Sequence, residues 1–95
     1  MERAKETAEL LKILANENRL LILCSLMQKE KNACDILKEV PKISQSALSQ
    51  HLTLLRAAGI LKCEKNGLNV KYTIADKRTA DIIKALKKYY CKTSL

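Results

Sequence analysis

Ninety-five residues, 47% of them hydrophobic, suffice for one small core and leave no room for a second. The formal charge of +8, doubled to +16 if two chains pair, favours a polyanion as partner. The opening Met1-Glu2-Arg3-Ala4-Lys5-Glu6 is charged, not a signal peptide, and no apolar run approaches the ~18 residues of a membrane span. A cytoplasmic protein without a membrane partner is therefore expected, and its four cysteines are expected to be inert, metal-binding or redox-active rather than structural disulfides.

Helices come first in the chain. Ala4, Ala8, Leu10, Leu11 and Leu14 make an amphipathic helix from about Glu2 to Leu14. Asn16 can cap a second helix from Glu17 to about Gln28, whose Leu20, Leu21, Ile22, Leu23, Leu26 and Met27 surround its axis and make it central. Lys29 to Asn32 is a polar connector. A short helix from Ala33 to about Val40 ends at Pro41, because the residue before a proline is pushed out of helical geometry.

Ser44 then caps the most informative segment, which stops at Gly59, a residue suited to the C′ position. At 3.6 residues per turn, Ala47, Leu48, Leu52, Leu54, Leu55 and Ala58 fall on one side. Gln45, Ser46, Ser49, Gln50, Thr53 and Arg56 fall on the other, which carries no acid. Hydroxyls, amides and an arginine are the groups that bond base edges and phosphates. Two helices joined by the Pro41-Lys42-Ile43 turn, the second with such an arc, form a helix-turn-helix for the DNA major groove. His51, the sole histidine, falls on the packed side and faces a neighbouring helix rather than a base.

After Gly59 the period changes to two. Ile60 to Lys65 and Asn69 to Ile74 read as strands around an Asn66-Gly67 turn, forming a basic ribbon beside the recognition helix. A last helix runs from about Asp76 to Tyr90 or Cys91, with a stripe of Ile82, Ile83, Leu86, Tyr89 and Tyr90. The expected fold is mainly α with a small β-hairpin: a single winged helix-turn-helix domain over residues 1–95, in the order α-α-α-α-β-β-α. The first and last helices carry apolar stripes too large for one thin domain to cover. A homodimer is therefore expected, with Leu10, Leu11 and Leu14 meeting Ile82, Ile83, Leu86 and Tyr89 about a two-fold axis.

Nearly the whole chain resembles the ArsR/SmtB family of winged-helix repressors. Leu14-Ala15-Asn16-Glu17-Asn18-Arg19-Leu20-Leu21-Ile22-Leu23 is similar to the family's opening motif, and Ser44 to Leu61 to its recognition helix. The resemblance implies a homodimeric repressor that occupies double-stranded operator DNA and releases it on induction, with no catalytic residues and no cofactor. It places Gln45, Ser46, Ser49 and Gln50 at base and phosphate contacts, and Lys65, Asn66, Asn69 and Lys71 in or beside the wing.

The inducer has to be argued from the cysteines. Asp81-Ile82-Ile83 is followed by no histidine, so the zinc site that some members build on the last helix is missing. Asn32-Ala33-Cys34-Asp35 keeps one thiol of the Cys-x-Cys-Asp motif that takes soft metals in others. Cys24 and Cys91 instead resemble the dithiol subgroup of the family, the BigR, SqrR and HlyU type, which responds to persulfides and oxidants. Three readings stay open: thiol switching through Cys24 and Cys91 by reactive sulfur species or oxidants, a metal- or arsenite-responsive repressor using Cys34, and a small thiol redox enzyme. A cysteine on an apolar helix is also commonly a small buried hydrophobe. Cys63, in a strand, reads as packing.

Overall fold

The structure, a computed structural model, describes residues 2–40 and 42–90. Its elements are α1 (Ala4–Leu14), α2 (Glu17–Gln28), α3 (Ala33–Glu39), α4 (Gln45–Ala57), β1 (Leu61–Asn66), β2 (Asn69–Ile74) and α5 (Lys77–Tyr90), the order expected. No helix among the described residues is long and apolar enough to cross a membrane.

Three helices begin at side-chain caps that the sequence displays. The backbone N–H of Arg19 donates to Asn16 Oδ1 at 3.1 Å, that of Asp35 to Asn32 Oδ1 at 2.8 Å, and that of Ala47 to Ser44 Oγ at 3.0 Å. The end of α4 is a Schellman motif. Gly59 N–H donates to the Arg56 carbonyl and Ile60 N–H to the Leu55 carbonyl, both at 3.0 Å, with Gly59 at φ 78°. Leu55 and Ile60, the apolar pair that accompanies this motif, are both buried. That stop turns the chain directly from α4 into β1.

The core joins Ile22, Leu23 and Leu26 of α2 to Ile36, Leu48, Leu52, Leu55, Ile60, Leu61 and Ile83. The packed arc of α4 is narrower than its wheel suggests: Leu48, Leu52 and Leu55 are buried, but Leu54 and Ala58 are exposed. Leu14 and Ile83 also depart from expectation. They are 4% and 0% exposed, consumed by the core of their own chain and not free for a two-fold contact.

β1 and β2 pair antiparallel, Leu61 with Ile74 through Asn66 with Asn69. The turn is therefore centred on Gly67-Leu68, one residue later than expected. Gly67 has φ 68° and, among the described residues, no residue other than glycine has positive φ, the sign pattern of a type II′ turn, whose first central residue must be left-handed. A further antiparallel bridge joins Lys31 to Tyr72 (N–H to carbonyl at 3.2 and 2.8 Å), laying the connector after α2 along the hairpin.

Candidate nucleic-acid interface

With Leu48, Leu52 and Leu55 anchored in the core, α4 turns Gln45, Ser46, Ser49, Gln50, Thr53 and Arg56 outward, and all six are exposed. The helix contains no acid. Its outer surface is a strip of amide, hydroxyl and guanidinium groups, the donor and acceptor set that suits base edges and phosphate oxygens.

The wing adds charge beside it. Lys62, Lys65 and Asn66 of β1 are exposed. Lys71 of β2 is partly occupied: its Nζ lies 3.6 Å from Glu30 Oε1, both side chains half exposed. A phosphate would have to compete with that carboxylate, a pairing between residues distant in sequence. Such exposed ion pairs contribute ~1 kcal/mol or less, so the lysine can change partner.

His51 sits inside α4 as expected of a satisfied histidine. Arg19 Nε of α2 donates to its Nδ1 at 3.3 Å, and Arg19 Nη1 donates to the Ile13 carbonyl at 3.2 Å. Burial, and then the Arg19 charge, push its pKa below the ordinary 6.5, which keeps the ring neutral and able to accept.

A second joint was not foreseen. Lys31 lies in the polar connector, yet it is 4% exposed. Its Nζ donates to the Ser25 carbonyl at 2.7 Å, to Ser25 Oγ at 3.0 Å and to Glu39 Oε1 at 3.0 Å. The ammonium thus satisfies a carbonyl near the C-terminus of α2, where the helix dipole favours a cation, and ties it to α3. Hydrogen bonds from Ser25 and then Lys31 hold the Glu39 carboxyl below the usual range. At the start of α5, Asp76 accepts from the Thr79 hydroxyl at 2.8 Å and from Arg78. Burial pushes its carboxyl up, but these bonds outweigh it and leave the pKa lowered.

Cys24 is half-buried in the wall of a largely apolar cavity of about 530 Å³ between α2 and α5. Leu20, Leu21, Ile83, Leu86, Lys87 and Tyr90 share that cavity. Cys91 lies outside the described residues. Cys34 is an exposed free thiol on α3, and Cys63, half-buried, faces the Tyr72 position across the hairpin. Among the described residues, no three His, Cys, Asp or Glu side chains come together as a metal site would require.

The profile of the family "Bacterial regulatory protein, arsR family" matches residues 16–62, from the α2 cap to the second residue of β1. The chain is 39% identical to the transcriptional activator HlyU of Vibrio cholerae over 85 residues, 90% of this chain and 78% of that protein. It is 37% identical to the biofilm growth-associated repressor of Agrobacterium fabrum over 90 residues, 95% of this chain and 76% of that one. Among solved structures, the transcriptional repressor BigR of Xylella fastidiosa superposes with a TM-score of 0.88 at 32% identity, covering 97% of this chain and 93% of that one.

Proposed function

The chain belongs to the arsR family of bacterial regulatory proteins, and on that premise we propose that it is a homodimeric operator-binding repressor switched by thiol modification. It is a winged-helix transcription regulator and not an enzyme. The observation that carries the DNA reading is the acid-free outer strip of α4, held at a fixed angle by three leucines in the core. Gln45, Ser46, Ser49 and Gln50 meet bases and nearby phosphates, while Lys65 and Lys71 meet the flanking backbone and Asn66 contacts DNA from the wing. Replacing Gln50 by alanine should weaken operator binding by ~1–3 kcal/mol and relax specificity at one position, whereas Lys71→Ala should weaken all duplexes alike and lower the salt slope. Binding titrations at several salt concentrations check both. Unchanged affinity for Gln50→Ala would remove the assignment.

Apolar surface supports the dimer. Leu11 of α1 and Tyr89 of α5 are 50% and 71% exposed, and Leu21 and Tyr90 are exposed as well. In a two-fold dimer, the separation of the two α4 helices has to match successive major grooves, so a small displacement at α5 changes affinity.

The switch is assigned to Cys24 and Cys91. The support is that Cys24 shares its cavity with Lys87 and with Tyr90, the residue just before Cys91 in sequence. A thiolate is favoured by neighbouring cations, so Cys91, flanked in sequence by Lys87, Lys88 and Lys92, attacks first. It takes the outer sulfur of a persulfide and expels the carrier thiolate. Cys24 then attacks Cys91 Sγ and expels hydrosulfide, leaving a disulfide: two thiols are oxidised and one persulfide is reduced to thiol and sulfide. Cys24→Ser and Cys91→Ser should each keep operator binding and lose release by persulfide. Cys34→Ser and Cys63→Ser should respond as the parent does. Release by metal, abolished by Cys34→Ser alone, would replace this reading.

A further inference from the structure

We propose that Leu68, at the tip of the hairpin Asn66-Gly67-Leu68-Asn69, is an apolar wedge inserted at a base step from the minor groove; this rests on the DNA-binding reading above. Leu68 is fully exposed, more so than any other large apolar side chain of the described residues. A leucine left in water forgoes roughly 1.5–3 kcal/mol of burial. Isolated exposed leucines are common on protein surfaces, and it is the setting of this one that gives it a role.

The setting is a stiff lever with a chemically suited end. A two-residue turn holds Leu68 at the tip of a ladder running six pairs deep. The middle of that ladder is braced by the Lys31–Tyr72 bridge and by the Lys71–Glu30 pair. Opening a base step costs a few kcal/mol, which a flexible loop could not direct onto one side chain. Asn66 and Asn69 face each other on the last rung, both exposed, flanking the leucine. Their amide N–H groups match the adenine N3 and thymine O2 acceptors that the minor groove offers. From Lys65 to Lys71 the sequence contains no carboxylate, so nothing at the tip repels a phosphate backbone.

The same facts argue against a protein partner at this place. Val70, next along the strand, is half-buried, and the tip offers a single apolar side chain. A stable protein interface needs ~800 Å² on each side. A gap between two base pairs is an apolar environment that one leucine fills. The Schellman turn at Gly59 leads α4 into the wing without a linker, so α4 and the tip reach one duplex together.

The test uses the full chain and duplexes that it selects from a randomised pool. The expected result is a consensus whose centre is read by α4 and whose flank favours a TA or CA step in A·T-rich sequence, the steps most easily kinked. With 2-aminopurine placed at that flanking step, the parent should raise its fluorescence on binding, as an unstacked base does. Leu68→Ala should lose that signal, lose the flanking preference and bind about tenfold more weakly, while keeping the central consensus. Leu68→Met, of similar volume, should restore most of each. Gln50→Ala should do the reverse, disturbing the centre and sparing the flank. Equal affinity and an equal fluorescence change for Leu68→Ala would overturn the wedge, as would a parent complex without any fluorescence change. A change in the oligomeric mass of Leu68→Ala, with DNA binding intact, would assign the residue to a protein contact instead. Failure to select any consensus would remove the DNA reading itself along with the wedge.

Discussion

Around α4 and the wing, the buried polar groups find partners in their own chain. Lys31 closes on Ser25 and Glu39, Arg19 on His51, and the hairpin is bridged to the connector at Tyr72. Among the described residues, Thr73 Oγ1 alone is a buried side-chain atom without a hydrogen bond. Across α1 and α5 the pattern differs. There Leu11, Tyr89 and Tyr90 stand in water, and the cavity that holds Cys24 opens between α2 and α5. Apart from Thr73 on β2, the buried polar groups of the first region are satisfied within one chain, which suits a rigid reading head. The second leaves apolar side chains in water, which supports the proposed dimer.

The largest expected effect breaks the first region. Lys31→Ala removes a buried stem and its hydrogen bonds together and should cost ~2–4 kcal/mol of unfolding free energy. Lys31→Met keeps the stem and should cost about half as much, which separates packing from charge. Urea titrations read both. A loss under ~0.5 kcal/mol for either would mean that the joint is ornamental, since surface changes stay within that range.

The second prediction strikes the other region. Leu11→Glu with Tyr89→Glu should leave the protomer's urea midpoint nearly unchanged and shift self-association toward monomer by at least tenfold, ~1.4 kcal/mol. Sedimentation equilibrium measures it. If the double variant unfolds instead, the face belongs to the protomer's own core and the contrast between the regions fails.

The smallest effect is one of pH. His51 is depressed in the folded state, so the unfolded chain binds more protons below the ordinary value of 6.5. Its contribution to stability is present above that pH and is lost as pH falls through the lowered folded value. Glu39 is also depressed, so its contribution is present above 4.5 and is lost on further acidification. Stability should therefore decline in two acid steps. His51→Gln should erase the upper step and Glu39→Gln should shrink the lower one, which the depressed Asp76 shares, in unfolding curves taken across the range.

The caps at Asn16 and Ser44, the stop at Gly59 and the outward strip of α4 were all legible in the sequence, because each depends on residues within one or two turns, whereas Asn32 was read as part of a connector and its cap on α3 emerges only in the structure. Lys31 was not. A lysine in a polar run reads as solvated, and its burial follows only once the end of α2, α3 and β2 converge on it. The pairing of Lys71 with Glu30 was not legible for the same reason, the two lying far apart in sequence. Leu14 and Ile83 show a third limit. A helical period marks a stripe as apolar but does not divide it between the chain's own core and a second copy. The turn slipped by a residue because Asn66-Gly67 is a strong local signal. The ladder instead carries Asn66 into the last pair and leaves Gly67 at the position that requires positive φ.

The Arg19–His51 bond has one more consequence. The chain contains a single histidine, and it sits on the reading helix with its Nδ1 lone pair committed to the helix that carries Cys24. The ring proton must then reside on Nε2, a tautomer with its own nitrogen chemical shifts. One imidazole signal in a nuclear magnetic resonance spectrum therefore reports the contact between α2 and α4, without any engineered label. Recorded before and after persulfide treatment, and with and without duplex, that resonance would tell whether the two helices part when the protein lets go of its DNA.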